Sequence, residues 1–180
     1  MIEIQRAVWF GIVASALALA QGRASEPWEF EAAGVRSGFS ATRIDEHFVQ
    51  LGAFSRVHTP LAFNFSSICR LQTSIDMSAG VLGREEEQGF IGTLGPVLTL
   101  SRKEFPIELV GGSSPTILSR SEFGRVNFGI PFQFTSHIGF DVHFTRRLVA
   151  NYRFQHMSNA SLSRHNPGLD LHSVSIGYSF

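Results

Sequence analysis

The chain has 180 residues, with 15 basic and 15 acidic side chains, so its formal net charge is zero. This length suits one domain, and the balanced charge argues against a nucleic-acid binder, which normally carries a basic excess. The single cysteine, Cys69, excludes an intrachain disulfide and a cysteine-rich zinc site. Phenylalanine and glycine number 17 each, against two tryptophans and two tyrosines, and this bias favours β-structure with a large apolar exterior.

The first twenty residues have the organisation of a secretory signal peptide. Residues 1–6 form a short amino-terminal region with one arginine, and residues 7–20 form an apolar stretch that ends in small residues. Cleavage before Gln21 is expected, and cleavage after Ala24 is the alternative. A retained anchor is also open, although the apolar run is short for a membrane span. We therefore expect a signal peptide over residues 1–20 and one exported domain over residues 21–180.

From residue 28 onward, apolar side chains recur with a period of two, which is the period of a β-strand. The clearest stretch runs from Phe132 to Phe144. Phenylalanine, isoleucine and valine occupy one face there, interrupted by Ser136, and polar side chains occupy the other face. The pattern predicts eight strands, near residues 31–40, 46–58, 69–84, 88–101, 105–112, 130–144, 147–159 and 169–180.

Alternation of this kind is typical of a soluble β-sandwich or of a transmembrane barrel with its apolar face toward lipid. Large phenylalanines on the apolar faces, the export signal and the terminal aromatic Phe180 favour the barrel. A terminal aromatic resembles the sorting signal of bacterial outer-membrane barrels. The predicted fold is all-β, an eight-stranded antiparallel transmembrane β-barrel over residues 21–180. With both termini in the periplasm, the connections near 41–45, 85–87, 113–129 and 160–168 face the cell exterior. A soluble exported sandwich that binds apolar ligands is the alternative.

Polar residues continue the apolar face of the seventh predicted strand. Counting by twos along that face reaches His156 and then Ser158, and counting back by twos along the eighth strand reaches His172 and Asp170. A symmetric hairpin would place Ser158 opposite Asp170 and His156 opposite His172. Directly opposed side chains are about 4.5–5.5 Å apart at Cβ. The pattern therefore predicts that a serine, a histidine and a carboxylate converge on one lipid-facing patch.

These three side chains are the groups required for acyl transfer to water. Ser158 would act as the nucleophile, His156 as the base and then the acid, and Asp170 as the group that orients the imidazole. Donors next to the nucleophile must stabilise the tetrahedral oxyanion. The candidates are Asn159 and the backbone N–H groups of Ala160 and Ser161. Simple alternation points Asn159 inward, so its role requires the strand to end or turn there.

The carboxyl-terminal segment resembles the lipid A 3-O-deacylase family, the PagL type of outer-membrane acyl hydrolase. The residues that carry the resemblance are His156-Met157-Ser158-Asn159-Ala160, Asn166-Pro167-Gly168 and Gly177-Tyr178-Ser179-Phe180. The resemblance implies an eight-stranded outer-membrane barrel that removes the acyl chain ester-linked at position 3 of lipid A. It assigns the catalytic histidine and serine to His156 and Ser158 and the oxyanion asparagine to Asn159. The family's third residue is glutamate, and Asp170, one methylene shorter, stands at that position.

The resemblance also defines the expected partners. Lipid A or lipopolysaccharide is the expected substrate of a membrane-embedded enzyme in the outer membrane. We expect no nucleic acid, no cofactor and no metal, and homodimer formation is left open. Arg164 and His165 lie in the last outer connection, where they would contact lipid A phosphates or stay solvated. His172 would contact the substrate from the lipid face or belong to the interfacial belt. The rival hypothesis is a non-enzymatic small barrel, structural or adhesin-like, with a decayed site at Asp170.

Overall fold

A computed structural model describes residues 27–41 and 47–180. The predicted signal peptide and most of the first predicted outer connection lie outside these described residues. The strands, in chain order, are β1 (Glu29–Ser40), β2 (Phe48–Asn64), β3 (Cys69–Arg84), β4 (Glu87–Arg102), β5 (Ile107–Leu118), β6 (Glu122–Phe123), β7 (Val126–Asn127), β8 (Phe132–His143), β9 (Leu148–Ser158) and β10 (Leu169–Ser179). Over the same ranges, no helix is long and apolar enough to cross a membrane.

Eight of these strands close into a barrel in the order β1-β10-β9-β8-β5-β4-β3-β2, with antiparallel pairing throughout. The two short strands, β6 and β7, pair with each other as a small hairpin within the connection from β5 to β8. The predicted eight-stranded antiparallel barrel is therefore confirmed. The longer connections, 119–131 and 159–168, lie at one end, called the outer end here because longer loops face the cell exterior in such barrels.

Two predicted strands ended too early. β5 continues to Leu118, beyond the Gly-Gly-Ser-Ser-Pro stretch that resembles a turn, because β4 and β8 supply ladder partners on both sides. β2 continues to Asn64, since a register shift between His58 and Ala62 accommodates Pro60 within the strand. In both strands, pairing with neighbours outweighs the local turn signal.

The outward face of the barrel is apolar around its whole circumference. Each of the eight barrel strands presents exposed large apolar side chains on this face, as a protein in contact with lipid requires. One example from each strand, in chain order, is Val35, Leu51, Val81, Leu94, Leu109, Ile138, Phe154 and Ile176.

The inward face carries a buried network of charged side chains. Arg36 donates to both carboxylate oxygens of Asp76 at 3.2 and 3.0 Å, and Arg153 donates to Asp76 Oδ2 at 3.0 Å. Arg56 donates to Asp141 Oδ2 at 2.6 Å. All five side chains are at most 5% exposed. Paired charges of this kind occupy the barrel interior, so the barrel serves as a scaffold for a site on its outer surface.

An apolar plug closes the interior at the outer end. Phe123 and Phe128, on either side of β7, fold into the barrel mouth and are each 1% exposed. Their ring centroids lie 5.6 and 5.8 Å from that of Phe48. Met157 and Leu169 belong to the same cluster. These two residues alternate with the outward-facing residues of the predicted site, so their burial anchors the site's backbone.

Candidate active site

The predicted faces of the last hairpin are present, but the predicted register is wrong by two residues. Asp170 pairs with His156, and His172 pairs with Phe154. Ser158 extends beyond the ladder with β10 and pairs instead with Phe134 of β8. A shift of two residues keeps every side chain on its face. The alternation along two strands therefore predicted the faces correctly, whereas the register depends on how the connection 159–168 folds.

The observed register brings His156 and Asp170 into direct contact. His156 Nδ1 lies 2.6 Å from Asp170 Oδ1, and the side chains are 45% and 33% exposed. In the predicted register Asp170 would have stood on the diagonal from His156, about 7–8 Å away. Direct opposition allows the short carboxylate to reach the imidazole. A carboxylate on Nδ1 fixes the orientation of the ring and leaves Nε2 for proton transfer.

Ser158 ends β9 on the same outward face as His156 and is partly exposed. Within the described residues, no hydrogen bond joins the Ser158 hydroxyl to His156, whose ring contacts Asp170. Residues two apart on a strand face are about 7 Å apart at Cα. A hydrogen bond from the hydroxyl to Nε2 would require side-chain rotation. Hydrogen bonds between catalytic groups are often long before substrate binds.

Gly168 lies directly against the imidazole of His156. Its φ of +72° is in the left-handed region, and a Cβ at this position would lie 3.1 Å from His156 Cε1. That spacing is tighter than an ordinary contact, so a side chain here would push the ring. Asn166-Pro167-Gly168 is one of the segments that carry the family resemblance, but the sequence did not predict the proximity of Gly168 to His156.

The backbone turns sharply immediately after Ser158. Ala160 and Ser161 have φ values of 52° and 66°, and the Leu162 N–H donates to the Asn159 carbonyl at 3.0 Å. Two successive left-handed residues are typical of a type I′ turn, which normally uses glycine or asparagine. Strained backbone of this kind is concentrated at functional sites. The turn places two backbone N–H groups next to the candidate nucleophile.

Asn159 is fully buried and points inward, as simple alternation predicts. Its Nδ2 donates to the carbonyls of Phe128 at 2.8 Å and His165 at 2.6 Å, and its backbone N–H donates to Asn166 Oδ1 at 3.0 Å. Asn159 therefore joins the connection 159–168 to the connection 119–131. Sequence reasoning missed this structural contribution, because both acceptor carbonyls lie in segments without a periodic pattern.

The three candidate substrate-contact residues lie around this centre, and within the described residues no hydrogen bond joins their side chains to His156, Ser158 or Asp170. Arg164 and His165 are exposed in the connection 159–168. His172 lies two residues from Asp170 on the outward face of β10, where Tyr152 Oη is 2.7 Å from its Nδ1. The Phe154 ring packs edge-on against it, with centroids 5.6 Å apart. In the part of the chain that the structure describes, no group of three or more His, Cys, Asp or Glu residues is arranged to hold a metal ion.

These features define an outer-membrane β-barrel with a serine, a histidine and a carboxylate on its lipid-facing surface near the outer end. The model of the lipid A 3-O-deacylase (PagL) family matches residues 51–179, and the chain belongs to this family. The expected resemblance and the outer-membrane location are thereby confirmed.

Individual relatives are more distant. The lipid A deacylase PagL of Bordetella bronchiseptica is 35% identical over 69 residues, which cover 38% of this chain and 39% of that protein. A crystal structure of the outer membrane enzyme PagL superposes with a TM-score of 0.65 at 21% identity, over 79% of this chain and 97% of that one, and so shows the same fold. The structure of the Yersinia pestis outer membrane protein Ail gives a TM-score of 0.47 at 12% identity, over 84% of this chain and 100% of that one.

Proposed function

We propose that this protein is an esterase that hydrolyses the 3-O-linked acyl chain of lipid A in the outer membrane. The observation that carries the proposal is the 2.6 Å contact between His156 and Asp170 on the lipid-facing surface. Ser158 follows on the same face, in a chain of the lipid A 3-O-deacylase family. The residues needed for ester hydrolysis thus face the compartment where acyl chains lie.

In the proposed mechanism, Ser158 Oγ attacks the ester carbonyl while His156 Nε2 takes its proton. The imidazolium is stabilised by Asp170. Collapse of the tetrahedral intermediate breaks the bond to the sugar oxygen, which leaves as an alcohol after it receives the proton from His156. Water, activated by the same imidazole, then attacks the acyl-enzyme and releases the fatty acid and free Ser158. No cofactor is required for these steps.

We assign stabilisation of the oxyanion first to the backbone N–H groups of Ala160 and Ser161. The strained turn that follows Ser158 supports this assignment, because fixed backbone donors need no reorganisation during the reaction. Asn159 would act as a side-chain donor only by exchanging its contacts with the Phe128 and His165 carbonyls for the oxyanion. Its proposed contribution in the free enzyme is to hold the turn in place.

The location of the site agrees with a substrate that stays in the membrane. Ester groups of lipid A lie just below its phosphorylated sugars, and Ser158 lies at the outer end of β9, above an apolar belt. We propose that Arg164 and His165, which are exposed in the adjacent connection, contact phosphate groups. His172 lies deeper on the lipid face, where we propose contact with the acyl region. Homodimer formation stays a prediction.

The test is to express the wild type and Ser158→Ala in a bacterial host that makes lipid A. Mass spectrometry of lipid A should show the loss of one ester-linked acyl chain with the wild type only. Heat-modifiable gel migration of outer-membrane fractions verifies that each variant is folded. Ser55→Ala is the matched control, because Ser55 lies on the outward face of β2, three strands away from β9. Equal lipid A profiles for the wild type and Ser158→Ala would refute the enzyme and favour the non-enzymatic barrel.

A further inference from the structure

Two serines form a polar pair on the lipid-facing surface. Ser113 of β5 and Ser136 of β8 are directly paired, and their hydroxyl oxygens lie 3.2 Å apart. Both side chains are partly buried. Ser136 interrupts the row of large apolar residues on β8 between Phe134 and Ile138. Polar groups that face lipid are costly, so a pair of hydroxyls at this place requires an explanation.

The pair continues the row of the proposed catalytic residues. Ser136 is directly opposite His156, which is directly opposite Asp170 on its other side. One row therefore crosses four neighbouring strands. It consists of Asp170 on β10, His156 on β9, Ser136 on β8 and Ser113 on β5. Directly opposed residues have Cβ atoms about 4.5–5.5 Å apart. The serine pair is thus the immediate neighbour of the imidazole on the side away from the carboxylate.

The pair also lies deeper in the membrane than the proposed nucleophile. Ser158 is opposite Phe134, and Ser136 is two residues farther from the outer end along β8. This separation corresponds to about 7 Å along the strand. The acyl chain of a membrane lipid lies on the membrane side of its ester bond. The serine pair consequently lies beside the first carbons of an acyl chain whose ester is at Ser158.

The hydroxyl groups retain capacity to bind a ligand. Two serines offer two donors and several lone pairs, and the hydrogen bond between them uses one donor. Large side chains border the pair. On the outer side, the Phe132 and Phe134 rings pack edge to face with centroids 5.1 Å apart, and on the inner side Ile138 is 59% exposed. The small polar serine side chains therefore stand between larger apolar side chains on this face.

We propose that Ser113 and Ser136 form a specificity subsite that binds a hydroxyl group on the acyl chain, close to the ester carbonyl. This inference rests on the proposed function. A hydroxyl on the third carbon of the chain is two carbon–carbon bonds from the carbonyl, which matches a subsite adjacent to His156. An unsubstituted chain leaves the spare serine donor without a partner. One net hydrogen bond corresponds to about a fivefold preference for the hydroxylated ester.

The test compares two soluble esters that differ in one hydroxyl group, p-nitrophenyl 3-hydroxydecanoate and p-nitrophenyl decanoate. The enzymes are full-length wild type, the double variant Ser113→Ala with Ser136→Ala, and Ser136→Thr, all refolded in detergent. The wild type should have about fivefold higher kcat/KM for the hydroxylated ester. The double variant should lose this preference and keep its decanoate activity. Ser136→Thr, which retains the hydroxyl, should keep the preference, as should the control Ser55→Ala.

Each contrary result has a distinct meaning. Equal loss of activity on both esters in the double variant would show that the serines support His156, and would overturn the subsite. Absence of any preference in the wild type would overturn it as well. If the wild type shows no Ser158-dependent hydrolysis of either ester or of lipid A, the proposed function itself fails and the subsite fails with it. Heat-modifiable migration verifies that the variants are folded.

Discussion

The contact between His156 and Asp170 leads to a quantitative prediction for Asp170→Asn. The substitution keeps the size of the side chain and removes its negative charge from a 2.6 Å contact. A hydrogen bond to a charged group contributes about 1.5–3 kcal/mol, and about 1.4 kcal/mol corresponds to tenfold in rate. We therefore expect kcat to fall by about 10- to 200-fold. In fully buried triads the same change costs about 10⁴-fold, and the loss is smaller here because solvent reaches both side chains.

The assay is the hydrolysis of p-nitrophenyl decanoate by refolded enzyme in detergent, with kcat and KM measured separately. KM should change little, because Asp170 acts on the imidazolium that forms during the reaction and does not contact the ester. Glu86→Gln, in an exposed connection at the same end of the barrel, is the control for loss of one negative charge. Activity of folded Asp170→Asn within about twofold of the wild type would refute the assignment of Asp170, because the loss expected from the contact is at least about tenfold.

Three further substitutions test the surroundings of the site and the scaffold. Gly168→Ala should lower kcat by roughly tenfold, because its Cβ would press on the His156 ring 3.1 Å away, and should lower the free energy of unfolding by about 1–2 kcal/mol, because φ at this position is +72°. Unchanged kcat in the ester assay would show that the ring position tolerates the contact. Asn159→Ala should destabilise the outer end by about 1–3 kcal/mol, because the buried Phe128 carbonyl and the partly buried His165 carbonyl lose their donor. Urea titration and proteolysis of the connections measure this loss. An unchanged cleavage pattern would show that the Asn159 hydrogen bonds do not hold the two connections together. Asp76→Ala should lower the free energy of unfolding by about 3–5 kcal/mol, since it leaves buried arginines without their shared carboxylate. A urea midpoint equal to that of the wild type would argue against the charged network as a source of stability.

Local alternation was sufficient to predict which residues face lipid. His156, Ser158 and Asp170 were placed on the outward face by counting in steps of two, and the structure has them there. The same counting predicted that Asn159 points inward, and it is fully buried. These predictions succeed because the side-chain period of a strand is a property of the backbone and does not depend on the neighbouring strands.

The sequence did not predict how the strands and connections meet. The register that places Asp170 opposite His156 results from the folding of the connection 159–168, in which Asn159 binds carbonyls of two connections. The plug formed by Phe123 and Phe128 joins segments far apart in the chain, and no periodic pattern marks them.

Ser136 shows which properties of a residue follow from the sequence and which follow from the tertiary structure. By itself, the sequence determined that this serine interrupts an apolar face, and it favoured the barrel class and predicted the lipid-facing side of the proposed catalytic residues. Only the tertiary structure decided that Ser136 stands beside His156 and pairs with Ser113. The physical reason is that side-chain direction follows from the geometry of one strand. Proximity across strands follows from barrel closure and register, which depend on hydrogen bonds and packing between residues distant in sequence.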